Sequence, residues 1–274
     1  MRGLAHSLAA RFQDAPEVVE TSGCETLATL AARGSCRRFA DRPVDPSLLR
    51  MLLAVAFAAP TKSDLQQRDV VVVSDPAVRA RLDALCGTQA WLARAPALLI
   101  FCGNHRRQRR LHDLRGHAFV NDHLDAFFNA AVDAGVLLGV FVTAAEAAGL
   151  GTCPVSAIRN EPRAVSETLD LPEHVFPAMA LALGWPAAPP AISPRLPLGV
   201  TLHENRFDDS REAEQVAAYD AHRALGRPHA SQRFTDRFGK TEPYTWSEDK
   251  ARQYAEPERV GFGAFVRAKG FRLD

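Results

Sequence analysis

Apolar positions along the chain fall into three patterns. In "DPSLLRMLLAVAFAAP" they recur at 48, 49, 52, 53 and 56 on one face of a helix, with Asp45 as N-cap, Pro46 in the first turn and Pro60 beyond the end. A helix from 46 to about 58 follows. "RDVVVVSD" and "APALLIFCGN" are short, unbroken apolar runs bounded by charge or turn residues, which predicts two strands covered on both faces and central in a sheet. "VFPAMALALGWP" predicts a further strand and "PLGVTLHENRF" an extended segment. From Asp122 to Ala148 the residues are apolar on nearly every side, yet Asp125, Asp133 and Glu146 make the stretch too polar to span a membrane. A long helix buried in a core or against a second subunit is expected there, ended by the glycines of "GLGTCP". After residue 210, "SREAEQVAAYDAHRALG" reads as a helix, "RPHASQRFTDRFGKTEPYTW" as a loop, and a last helix contains Gly261 and Gly263. Mixed helices and strands without a repeat give one α+β domain with a C-terminal extension.

The chain has 274 residues, 47% hydrophobic and 24% charged, the composition of an ordinary globular protein with a substantial core. Its 33 basic residues against 32 acidic leave a net charge of +1, so no global field recruits nucleic acid or an anionic membrane. Any anion site must be local. Cys24, Cys36, Cys86, Cys102 and Cys153 are odd in number and lack CxxC pairing, which predicts free thiols in the reducing cytoplasm. His6, Ser7 and Arg11 interrupt the N-terminal apolar stretch, so neither a signal peptide nor a membrane span is expected.

Two polar stretches carry candidate chemistry. "RGSCRR" places Arg33, Ser35 and Arg37 at alternate positions, where an extended or tight-turn backbone points them one way and Arg38 the other. Guanidinium forks beside a hydroxyl suit a phosphate monoester; the other reading is a solvated cluster paired with Glu25, Asp41 or Asp45. "PTKSDLQ" then sets Pro60, Thr61, Ser63, Asp64 and Gln66 between a helix and a strand, as a plain turn or as donors and acceptors for a flat heteroaromatic ligand. "GLGTCP" and "GFGAFV" lack the third glycine of a dinucleotide fingerprint. His105, His112, His117 and His123 match no metal-ligand spacing and stand among arginines, so no metal is predicted.

In order and spacing, "RGSCRRF", "PTKSDLQ", "GLGTCPVSAIRNEP" and "LGWPAAPPAISPRLPLGVTLHENRF" resemble the FMN-dependent nitroreductase family, in particular its oxygen-insensitive NAD(P)H nitroreductases and flavin reductases. The resemblance runs from about residue 30 to 222. It implies a three-layer α/β/α sandwich with a mostly antiparallel central sheet, a long buried central helix, and a homodimer with exchanged C-terminal segments. Residues 1–30 would be an N-terminal extension, 31–210 the FMN-binding domain and 211–274 a helical extension wrapping the partner.

By that resemblance Arg33, Ser35, Arg37 and Arg195 grip the FMN phosphate, with Ser193 in place of a family basic residue and Arg33 as its substitute. Pro60, Thr61, Ser63, Gln66 and Gln89 lie along the ribityl chain and pyrimidine edge, and Pro154, Val155 and Ser156 lie beside O4 and N5. Side chains at Val155 and Ser156, where the family has glycines, would narrow the stacking face, and Asp64 replaces an asparagine. Phe127 and Phe128 are either core or the mouth of the site, and the run "RRQRR" with Arg107 is either a solvated loop or a cap that receives an anionic substrate or the adenine-ribose phosphate of NADPH. Arg233, Arg237 and Lys240, interspersed with Asp236 and Glu242, precede "TWS" where the 2′-phosphate of NADPH would sit, which predicts weak discrimination between NADH and NADPH. The implied activity is ping-pong transfer of two electrons from NAD(P)H through FMN to a nitroaromatic, quinone or similar planar acceptor, with no catalytic side chain. Reductive dehalogenation or alkene reduction at the same site, and a flavin-binding or flavin-consuming protein without reductase turnover, are the alternatives. An anion-binding module built on the arginine runs is disfavoured by the charge balance.

Overall fold

The structure, a computed structural model, describes residues 2–87 and 90–274. In chain order the elements are α1 (Arg2–Arg11), α2 (Cys24–Ala32), α3 (Pro46–Phe57), β1 (Arg68–Val73), α4 (Pro76–Leu85), β2 (Ala97–Asn104), α5 (Arg106–Arg115), α6 (Leu124–Ala147), β3 (Gly151–Val155), α7 (Pro162–Thr168), β4 (Val175–Gly184), α8 (Leu198–Thr201), α9 (Glu212–Gly226), α10 (Thr235–Phe238), α11 (Trp246–Tyr254) and α12 (Phe262–Ala268). They form two units, Ser35–Pro190 with Arg259–Asp274, and Met1–Gly34 with Ala191–Glu258.

In the first unit the sheet order is β1-β2-β4-β3, antiparallel throughout. The pleat sends Leu98, Ile100 and Cys102 of β2 to one face, where they pack with Leu82 of α4 and Val165 of α7. Leu99 and Phe101 go to the other face, against Leu49 and Leu52 of α3 and Leu137 and Phe141 of α6. Helices cover both faces, so β2 and β4 read as unbroken apolar runs in an antiparallel sheet, and the three-layer α/β/α expectation holds. Strands β1 and β2 are both expected to lie central in the sheet, but β1 is an edge: among the described residues it pairs only with β2, and Val72 is exposed.

The ends of α3 follow local rules. Asp45 Oδ1 accepts from Ser47 N at 2.8 Å and Leu48 N at 3.0 Å, and Pro46 sits in the first turn. By length and composition α6 is apolar enough to cross a membrane, but Ala130, Ala134, Leu137, Phe141 and Ala145 are buried in the protein as its core stripe.

One local expectation is extended and two are corrected. "GLGTCP" ends the helix and also begins strand β3, whose Pro154 lies on the sheet edge where a missing N–H costs no ladder bond. The "RRQRR" run is helix α5, stopped by Gly116 at φ 67°. The segment expected to be extended after "PRLP" forms α8, because the Asp14 carboxylate accepts from Leu198 N at 2.8 Å and Gly199 N at 3.0 Å and so satisfies its first-turn donors. In this second unit Tyr219 of α9 is buried edge-on against Trp246 of α11, and Asp220 holds Ser247 through its backbone N–H and its hydroxyl.

Candidate functional site

The loop between α3 and β1 is over-determined. Arg68, buried at the start of β1, donates to the carbonyls of Phe57 at 3.1 Å, Ala59 at 2.6 Å and Pro60 at 2.6 Å, and so caps the end of α3. Asp133, 2% exposed on α6, accepts from the Thr61 hydroxyl, from Lys62 N at 3.3 Å and from Gln67 N at 2.9 Å. The same Thr61 hydroxyl accepts from Gln66 N at 3.0 Å. From α5, Gln108 holds the Leu65 carbonyl at 2.8 Å and Arg107 holds the Gln66 carbonyl. Between these clamps Ser63, Asp64 and Gln66 take φ values of 49°, 57° and 52°, a left-handed backbone that non-glycine residues adopt at a cost. Strain of this kind persists where the surroundings hold it, and here it presents exposed Ser63, Asp64 and Gln66 side chains on a fixed frame. Asp64 accepts from Gln66 Nε2 at 3.1 Å.

In the 35–37 stretch Ser35 and Arg37 are exposed while Cys36 is buried between them, and Arg38, expected to point the other way, is exposed as well. Cys36 N donates to Thr152 O at 2.8 Å, and a Cβ on Gly151 would come within 2.6 Å of Cys36 Sγ. Only glycine at 151 allows this approach. The Arg37 guanidinium lies 5.8 Å from the centre of the Trp91 ring.

Arg33 and Arg195 meet in the second unit. Together with Arg11 and Arg223 they line a cavity of about 750 Å³ whose other walls include Ser193, Tyr219 and Trp246. Among the described residues that line it there is no carboxylate. Arg223 Nη1 donates to Tyr219 Oη at 2.9 Å, whereas its Nε is buried with no hydrogen-bond partner. Arg227 Nη1 donates to Ser193 Oγ at 3.2 Å, which brings a guanidinium to the position where this chain has a serine in place of the family's basic residue. The guanidinium groups of Arg33, Arg195 and Arg223, with no carboxylate among the described lining residues, fit a phosphate dianion.

The remaining candidates divide. Val155 is buried in the core on the α4 and α7 side, so its side chain does not narrow an open face. Pro154 is exposed, and Ser156 Oγ accepts from Arg259 Nη2 at 3.4 Å. Phe127 packs 4.7 Å from Phe176 in an aromatic cluster, whereas Phe128 is exposed. Arg107 is tied to Gln66 O and, at 2.7 Å, to Asp69, which makes it a brace for the loop. Arg237 pairs with Glu256, and Arg233 pairs with Asp249 at 3.0 Å; these acids, and not Asp236 or Glu242, are the partners. Gln89 lies outside the described residues. Asp133, Arg68, Gln108, Arg11 and Arg223 were not read from the sequence as site residues. Asp133 alone left a signal, an acid inside an apolar helix.

Burial, reinforced by the Arg109 charge, pushes the His105 pKa down to about 4. Its ring packs 5.1 Å from Phe119 and is part of the core, consistent with the absence of ligand spacing.

Solved structures share this architecture. The structure of B. megaterium NfrA2 superposes with a TM-score of 0.82 at 30% identity, covering 91% of this chain and 99% of that one. The NADPH:FMN oxidoreductase from Vibrio harveyi complexed with NAD+ does so with a TM-score of 0.77 at 26% identity, over 89% and 97%. The chain belongs to the nitroreductase family: the family profile matches residues 30–185, and the profile of the family's C-terminal domain matches residues 193–274. Curated relatives include an FMN reductase [NAD(P)H] of Bacillus subtilis, 30% identical over 91% of this chain and 99% of that protein. An oxygen-insensitive NADPH nitroreductase of Salmonella typhimurium is likewise 30% identical, over 90% and 98%.

Proposed function

We propose that this protein is an FMN-dependent oxidoreductase carrying two electrons from NAD(P)H to a nitroaromatic, quinone or similar planar acceptor. The observation that carries the reading is the arginine-lined cavity, with no carboxylate among its described lining residues, in which Arg33 and Arg195 meet from distant parts of the chain. Bound FMN supplies the redox chemistry, with N5 as the atom that takes and gives hydride. The chain's own part is binding, orientation and exclusion of water. Arg33 and Arg195 fix the phosphate, and the family resemblance assigns Ser35 and Arg37 to the same group. Pro60, Thr61, Ser63 and Gln66 present a rigid polar edge to the ring, with Thr61 acting through the frame it shares with Asp133. At 154–156 only Val155 and Ser156 have an N–H to offer.

Residues 31–210 carry the flavin site and 211–274 wrap a second copy in this reading. The homodimer is supported by an apolar face shared by α3 and α6: Met51 (54% exposed) and Val55, with Leu124, Phe128 (58%) and Val132 one turn apart. Sedimentation is expected to give a dimer at micromolar concentration; a stable flavin-loaded monomer defeats that part. A cytoplasmic location is supported by the five cysteines, all free.

The purified protein is expected to be yellow, to release FMN and not FAD on denaturation, and to oxidise NAD(P)H with a quinone or nitroaromatic in parallel-line, ping-pong kinetics. A colourless protein that takes up no FMN overturns the proposal. Flavin bound without NAD(P)H turnover leaves a flavin-binding protein.

A further inference from the structure

We infer that Arg11, on the N-terminal helix that precedes the family match, is a positioning residue that holds the two phosphate-binding segments in register. The inference rests on the reading of the arginine cavity as the FMN phosphate subsite. Helix α1 buries Leu4, Ser7 and Arg11, which share one face at spacings of three and four. Arg11 is 8% exposed, and its guanidinium is spent on backbone carbonyls. Nε and Nη2 donate to Ala31 O at 3.1 and 2.8 Å, Nη2 also to Arg33 O at 2.6 Å, and Nη1 to Ser193 O at 3.2 Å. The Arg11 carbonyl in turn accepts from Arg195 N at 2.7 Å. One residue therefore ties the backbone of Arg33 to the backbone of Arg195.

The arrangement also answers an electrostatic problem. Ala31 O and Arg33 O lie at the C-terminal end of α2, where unpaired carbonyls and the helix dipole concentrate negative charge. Left bare beside an anion site, they repel a phosphate; covered by a guanidinium, they do not. A few residues on, Asp14 repeats the tie by capping the start of α8, just beyond the Arg195 segment. The family profile begins only at residue 30, so this clamp comes from a part of the chain outside that match.

Riboflavin, which lacks the phosphate, separates positioning from general stability. Dissociation constants for FMN and riboflavin are measured by fluorescence quenching on the refolded or flavin-stripped full chain, alongside the melting temperature of the apoprotein, for wild type, Arg11→Ala, Arg11→Lys and Arg195→Ala. Wild type is expected to prefer FMN. Arg11→Ala is expected to weaken FMN by about tenfold or more and riboflavin by less than about twofold, the scale of one or two charge-assisted contacts displaced. Arg11→Lys is expected to recover little, since one ammonium does not span three carbonyls, and it decides by the same ratio if Arg11→Ala does not fold. If Arg195→Ala lowers the FMN preference while the Arg11 variants keep it, the clamp is wrong and the phosphate reading stands. Equal losses for both flavins in the Arg11 variants reduce Arg11 to a stability element and also overturn the inference. If Arg195→Ala leaves the preference intact, the phosphate reading itself fails.

Discussion

Replacing Asp133 tests whether the α3–β1 loop is held from outside or holds itself. The carboxylate takes three donors, the Thr61 hydroxyl and the N–H groups of Lys62 and Gln67, at a site only 2% exposed. Hydrogen bonds to a charged acceptor are worth about 1.5–3 kcal/mol each, and water admitted into the vacated space recovers part of that. Asp133→Ala should therefore cost about 3–5 kcal/mol of folding free energy. Asp133→Asn keeps the volume and one acceptor but turns an NH2 toward a donor, for about 1–3 kcal/mol. The function should suffer with the fold. Thr61 passes the constraint on to Gln66 N, and without it the left-handed Ser63, Asp64 and Gln66 relax toward ordinary backbone, each releasing about 1 kcal/mol of strain. FMN affinity is then expected to fall by about tenfold in Asp133→Asn. Urea unfolding of the apoprotein and flavin fluorescence quenching measure the two quantities. Asp133→Asn within about 0.5 kcal/mol of wild type, with FMN affinity within about twofold, would refute the argument.

Three further outcomes are expected. His105 is neutral when folded down to about pH 4, while the unfolded chain protonates it near 6.5, so within that window the native state binds fewer protons than the unfolded chain. Stability contributed by this site is intact above about pH 6.5 and declines toward pH 4 by up to about 3 kcal/mol; His105→Gln should flatten the urea-midpoint profile over that range, and an unchanged profile counts against it. NADH and NADPH should be used within about tenfold of each other in kcat/KM, because Glu256 and Asp249 occupy Arg237 and Arg233, and Glu256→Gln should shift the balance toward NADPH; a wild-type NADPH preference above about a hundredfold contradicts this. Gly151→Ala forces Cys36 aside, and with it Ser35 and Arg37, so its loss of FMN affinity should exceed what its melting temperature suggests; unchanged flavin binding disproves that coupling.

What could be read from the chain alone depended on signals carried within a few residues. Asp45 and Pro46 announced the start of α3, the apolar run at 97–104 announced β2, and the alternate placing of Ser35 and Arg37 announced two side chains that share the exposed side. The ordered motifs of the family carried the fold class, and they singled out the arginines at 33 and 195 that line one cavity. The limits were equally physical. Four valines in β1 look like the core of β2, yet which strand lies at the edge depends on pairing partners and not on composition. Helix α1 buries a serine and an arginine beside its leucine, so its inward face has no apolar period to detect. The residues after "PRLP" became helical because Asp14, far earlier in the chain, caps them. Asp133 looked like an objection to a membrane span and proved to be the anchor of a loop 72 residues away in sequence. Period and punctuation are local, whereas a buried carboxylate or guanidinium is stable only where distant backbone groups converge on it, and that convergence exists only once the chain has folded.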